Sequence, residues 1–123
     1  MNDIFPQDEK LYRAVFPYDM YWKEDGSVSS AAFLDRKREG LSVERGNMRD
    51  DHEVVDDMRQ MNFIGHIVSV TVKNCTETDA LVLYRPSKRS SYHSEIHGTM
   101  DNPLLSPKQR KYLSRSAIVV DKE

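Results

Sequence analysis

The sequence predicts an α+β fold: a single domain over residues 1–123, built as a mostly antiparallel sheet of five to seven short strands with two main helices. Three observations lead there. Ile67 to Lys73 alternates, with Val68, Val70 and Val72 on one face and Ser69, Thr71 and Lys73 on the other, the pattern of a half-buried strand. Asp50 followed by Glu53 matches a capping box, and Val54, Val55, Met58 and Met61 form one apolar stripe beyond it, so a helix spans about 51–61. Finally, 123 residues of which 38% are apolar suffice for one core without a metal or disulfide staple.

The remaining elements follow in chain order. Leu11 to Phe16 gathers aromatic and β-branched residues ahead of Pro17 and reads as the first strand. Asp25-Gly26 accepts the positive φ angles of a tight turn, so Tyr21–Glu24 and Ser27–Leu34 are expected to pair as a hairpin. The charged run Asp35 to Gly40 reads as a solvated turn before a short strand around Leu41 and Val43. Ala80 to Tyr84 and Tyr92 to His97 are further strands, separated by a polar linker from Pro86 to Ser91. Ser106-Pro107-Lys108-Gln109 combines an N-cap serine, a first-turn proline and a capping glutamine, which starts a helix over 107–116.

Composition narrows the function classes. The chain carries 18 Lys and Arg against 20 Asp and Glu, a net charge of -2 that conceals an acidic stretch over 1–58 and a basic one over 85–115. Either the basic stretch meets an anionic partner, or the two halves neutralise each other in the fold. A pI of 6.1 is far from the signature of strong nonspecific nucleic-acid binding. No apolar run approaches the roughly 18 residues of a membrane span, and no basic-then-apolar segment suggests a secretory signal. The lone Cys75 closes no intramolecular disulfide and cannot by itself build a thiolate metal site, which together predict a cytoplasmic protein. Gly-rich phosphate loops and a Gly-x-Ser-x-Gly elbow are absent, which argues against ATP-driven chemistry.

Two constellations offer chemistry. In Tyr92-His93-Ser94-Glu95-Ile96-His97, strand alternation puts His93, Glu95 and His97 on one face, as metal ligands or as a general acid and base on a phosphate-containing substrate. The plainer alternative is a sheet-edge role in which the imidazoles bond backbone. The second constellation is basic: Lys88 and Arg89 in the linker, and Lys108, Lys111 and Arg115 on one face of the last helix. With Tyr92 they would form a groove that holds phosphates while a ring stacks a base. An ordinary solvated helix face is the alternative.

Two resemblances rest on named residues. Arg13, the pair Ser29-Ser30, and Glu95 resemble, in that order, the arginine, serine pair and glutamate of ADP-ribosyltransferases, which set them around a nicotinamide dinucleotide. Here a single acid stands where that family has Glu-x-Glu, and Arg13 lies close in sequence to Ser29. Leu11-Tyr12-Arg13-Ala14-Val15, Ser29-Ser30-Ala31-Ala32-Phe33, Gly40-Leu41-Ser42-Val43 and Tyr92 to Gly98 resemble a group of small uncharacterised bacterial proteins over most of the chain. That resemblance draws attention to Ser29, Ser30, Phe33, Ser42 and His93 and implies no activity.

The expectation is therefore a non-enzymatic binding or partner module that receives an anionic ligand, a nucleic acid or a protein at its basic C-terminal region. The alternative is a small enzyme acting on a phosphate-containing substrate. In that case His93, His97 and Glu95 are catalytic and Lys88, Arg89, Tyr92, Lys108, Lys111 and Arg115 bind ligand. No cofactor, subunit number or membrane association is implied.

Overall fold

The structure, a computed structural model, describes residues 1–123. Six strands form one antiparallel sheet: β1 (Lys10–Val15), β2 (Leu41–Arg45), β3 (His66–Thr71), β4 (Leu81–Tyr84), β5 (His93–His97) and β6 (Ile118–Asp121). Their spatial order is β4-β5-β2-β1-β3-β6. Three helices complete the α+β fold: α1 (Asp51–Gln60), α2 (Val72–Glu77) and α3 (Pro107–Ser116). No helix is long and apolar enough to cross a membrane.

Both predicted capping boxes are present. Asp50 accepts from the Glu53 amide while Glu53 accepts from the Asp50 amide, and Ser106 and Gln109 do the same at α3. Helix α1 lays Val54 and Met58 on Tyr12 and Ile67 on one face of the sheet. On the other face Leu11, Val43, Val68, Val70 and Ile96 pack with Phe33, Leu105 and Leu113 around α3. Strand β3 is consequently buried on both faces from Ile67 to Val70, rather than half-buried as its alternation predicts.

Three local expectations are corrected. Asp25-Gly26 does turn the chain, with Gly26 at φ +87°, but its flanks meet only at one bridge, Trp22 with Val28. Asp19–Tyr21 and Ser30–Phe33 are 3-10 turns instead of strands, because the second sinks Ala32 and Phe33 together into the core. Alternation runs on through Val72 and Lys73, yet β3 stops at Thr71, where Thr71 and Asn74 make a third reciprocal capping box that starts α2. Strand β6 was not expected. It follows α3 directly and pairs with β3.

The acidic and basic halves do not neutralise each other through ion pairs. Arg45 pairs with Glu9, Lys10 with Asp51, and Arg49 with Glu44 and Asp57, all within the first half. Arg59 turns to Asp121 and Glu123, and Arg85 to Glu95.

Candidate functional site

Strands β1 and β2 are zipped at one end and parted at the other. Leu11 pairs with Arg45 and Tyr12 with Glu44, but the pairs that would continue this register, Arg13 with Val43 and Ala14 with Ser42, are not made. Strand β1 instead stays paired with β3 along its whole length, from Lys10 to Val15. The sheet is therefore split near its centre. Arg13, Ala14 and Ser42 line two cavities there, one of about 410 Å³ beside the 31–37 segment and one of about 80 Å³ under α1.

Arg13 bridges the split. Its Nε donates to the Ala32 carbonyl and its Nη1 to the Ser42 carbonyl, both at 2.9 Å. No carboxylate lies within ion-pair distance of it, and Nη2 has no acceptor in the protein. Since no enclosed side-chain nitrogen or oxygen lacks a partner, that nitrogen is open to solvent rather than packed in the interior. Burial pulls the Arg13 pKa below the ordinary arginine value, opposed by the charge of Asp35. The guanidinium remains a cation at neutral pH. Asp35 also builds the neighbouring loop: its carboxylate accepts from the amides of Lys37, Glu39 and Gly40. Arg36 and Lys37, carried on that loop, line the larger cavity.

Ser42 and His93, which line the smaller cavity on the α1 side, form a hydroxyl–imidazole pair. Ser42 is an exposed residue on a central strand, and its Oγ lies 3.1 Å from His93 Nε2. His93 Nδ1 lies 2.7 Å from the Arg85 carbonyl. A carbonyl only accepts, so Nδ1 carries the ring hydrogen, Nε2 is left with its lone pair, and the Ser42 hydroxyl donates to it. A hydroxyl that donates to an imidazole held by a backbone carbonyl is the arrangement that a serine nucleophile and its base require. Glu95 stands directly opposite Ser42 in the β2–β5 register and accepts from His97 Nε2 at 2.9 Å. Gly40, at φ +123°, makes room for that pair: a Cβ there would sit 2.5 Å from His97 Nε2 and 2.8 Å from Glu95 Oε1.

The other anticipated residues scatter. His93, Glu95 and His97 share one face as alternation requires, but no three His, Cys, Asp or Glu side chains converge as a metal site would need. Arg89 stacks on Phe63 and donates to the Met61 carbonyl, and Tyr92 lies under Arg49, so both sit on the α1 side of the sheet. Lys88 is exposed in the same linker. Lys108, Lys111 and Arg115 line an open groove beside α2 and α3, on the other face of the sheet, and do not join Lys88, Arg89 and Tyr92 in one site. Ser29 donates to the Met20 carbonyl and serves its own turn, away from Glu95.

Three members of the site have no role assigned by the sequence. Ser42 lies 51 positions before His93, and no spacing rule connects them; only the β2–β5 register does. Arg36 and Lys37 looked like a solvated charge run because nothing local reveals that Asp35 folds the loop back over the cleft. Comparison of the chain with models of protein families, with curated proteins and with solved structures returned no match. The chemistry of the cleft rests on its own geometry.

Proposed function

We propose that the cleft between β1 and β2 binds a small phosphate-bearing molecule and that Ser42 and His93 act on it. The observation that carries this reading is Arg13, a half-buried guanidinium with no carboxylate within ion-pair distance and one nitrogen without an acceptor in the protein. A partly desolvated cation that only the non-contacting charge of Asp35 offsets gains from an anionic ligand placed against it. Ser42 is placed to attack the phosphorus: its oxygen forms the new bond, its proton passes to His93 Nε2, and the bond to the leaving oxygen breaks as that oxygen takes the proton. Arg13 stabilises the charge on the transferring group. Water then releases the phosphoryl group from Ser42, with His93 again as base.

A fluorophosphonate probe tests the pair directly, because it phosphonylates only an activated serine. Intact mass should show one adduct on the wild type, none on Ser42→Ala and a much slower one on His93→Gln. An unlabelled wild type, or equal labelling of Ser42→Ala, overturns the assignment.

A second reading keeps the basic helix as a non-enzymatic anion-binding face. It is supported by Lys108, Lys111 and Arg115 having no carboxylate within ion-pair distance while they line a groove of about 680 Å³, although Glu77 and Asp79 share that groove. Charge reversal at these three cations that leaves inorganic phosphate binding unchanged removes this reading. For compartment we favour the cytoplasm, in keeping with a lone buried thiol, Cys75.

A further inference from the structure

We infer that the phosphate-bearing ligand of the cleft is a nucleotide, its base stacked on the aromatic column formed by Phe16, Tyr18 and Tyr21. The inference rests on the phosphate reading above and adds the other half of the ligand. Phe16 and Tyr18 stack with centroids 5.4 Å apart and planes at 21°, and Tyr18 and Tyr21 follow at 6.2 Å and 25°. Three near-parallel rings in a row at the surface are an unusual use of aromatic residues. Phe16 is 43% exposed and Tyr18 57%, so these two rings cover little core and present flat apolar area to solvent, while Tyr21 packs against the core.

Its position gives the column a purpose. Phe16 and Tyr21 line the same cavity of about 410 Å³ as Arg13, Arg36 and Lys37. That volume falls within the range of about 300–1,000 Å³ usual for small-molecule sites. The cavity is thus lined by two aromatic rings and three cations, with Asp35 already engaged by loop amides. A base lying on the free face of Phe16, the end ring of the column that lines the cavity, would direct its phosphates toward Arg13 and the Asp35–Gly40 loop, with Ser42 beyond. Stacking tolerates any base, so the class assigned is nucleotide rather than a particular one. The alternative use of exposed rings, burial against a protein, does not account for Arg13, a cation without an ion pair, lining the same cavity.

Calorimetric titration with ADP and with inorganic pyrophosphate tests this. ADP should bind at least tenfold more tightly than pyrophosphate. The double substitution Phe16→Ala with Tyr18→Ala should cost ADP about tenfold in affinity while leaving pyrophosphate unchanged, and Tyr18→Phe, which keeps the ring, should retain ADP. Arg13→Met should weaken both ligands. If pyrophosphate binds as well as ADP, or the ring substitutions leave ADP unaffected, the nucleotide inference fails and the phosphate reading stands. If neither ligand binds, or Arg13→Met changes neither affinity, the phosphate reading itself fails. The pyrophosphate arm also shows whether the ring variants are folded.

Discussion

Two arginines on neighbouring strands, Arg45 buried and Arg13 half-buried, have opposite surroundings. Arg45 on β2 is 1% exposed, and every arm of its guanidinium is engaged: Nε and Nη2 grip Glu9 at 2.7 and 2.8 Å, Nη1 reaches the Asn2 carbonyl, and Nη2 also reaches the Ile4 carbonyl. Phe5 covers its flat face at 3.9 Å. Arg13 on β1 has two carbonyls, no carboxylate and one nitrogen without an acceptor in the protein. The first closes the end of the sheet where β1 and β2 are paired and ties the N-terminal segment down. The second sits where they part. The difference separates a cation whose charge is used in folding from one whose charge is still available.

Removing each charge should expose that contrast, and Arg45 should give the largest effect of any single substitution considered. Arg45→Met leaves Glu9 as an unpaired buried carboxylate, a loss of about 3–5 kcal/mol and a large part of a small domain's stability. Arg13→Met strands two carbonyls but no charge, so its cost should be about 1 kcal/mol. Urea denaturation of the two variants measures both. Equal losses would mean that Arg13 is structural after all.

Gly40 tests the open half of the sheet next. Gly40→Ala forces a Cβ into the His97–Glu95 pair at a φ of +123°, where side chains are rarely accommodated. Strain of this kind costs about 1–3 kcal/mol, readable in the same denaturation experiment. Because Gly40 closes the loop that Asp35 organises, the variant should also weaken phosphate binding. A stability loss with unchanged phosphate affinity would uncouple the loop from the cleft.

The legible parts of this molecule are those governed by local chemistry. Asp50 with Glu53 and Ser106 with Gln109 announce their helices because both partners of each capping box lie within one turn. The Thr71–Asn74 box has the same form, but its asparagine satisfies the amide where a Glu or Gln is the usual signal, and a clean strand alternation hides it. His93, Glu95 and His97 share a face because a strand's period is two. Nothing local states that Ser42 will meet His93, that Arg13 will lack a carboxylate, or that β1 will leave β2 after Tyr12. Those are consequences of long-range pairing, and the cleft is made of them.

An effect as small as that of Arg13→Met is expected at the closed end, where Tyr12 and Asp51 fasten α1 to β1. The Tyr12 hydroxyl donates to Asp51, and Lys10 Nζ approaches the same carboxylate at 3.0 Å. Chiefly through the Tyr12 hydrogen bond, and then Lys10, the Asp51 pKa is held below the ordinary carboxylate value, while burial opposes the shift. Burial first and then Asp51 push the Tyr12 pKa upward. A carboxylate whose pKa is lower when folded stabilises the protein above its unfolded pKa and loses that contribution as pH falls through the folded one. A phenol whose pKa is raised stabilises below its unfolded pKa and loses that contribution as pH rises through the folded one. The pair therefore contributes across the neutral range and fades at both ends. With Asp51 close to half exposed, solvent screening reduces the contribution to about 1 kcal/mol. Asp51→Asn should lower stability by that amount at pH 7, and the gap to wild type should close as acid protonates the native carboxylate. A gap that persists unchanged to low pH would mean that the asparagine disturbs α1 by another route. A double-mutant cycle with Tyr12→Phe at neutral pH separates the two, since a true pair gives a coupling energy and a helix-start defect does not.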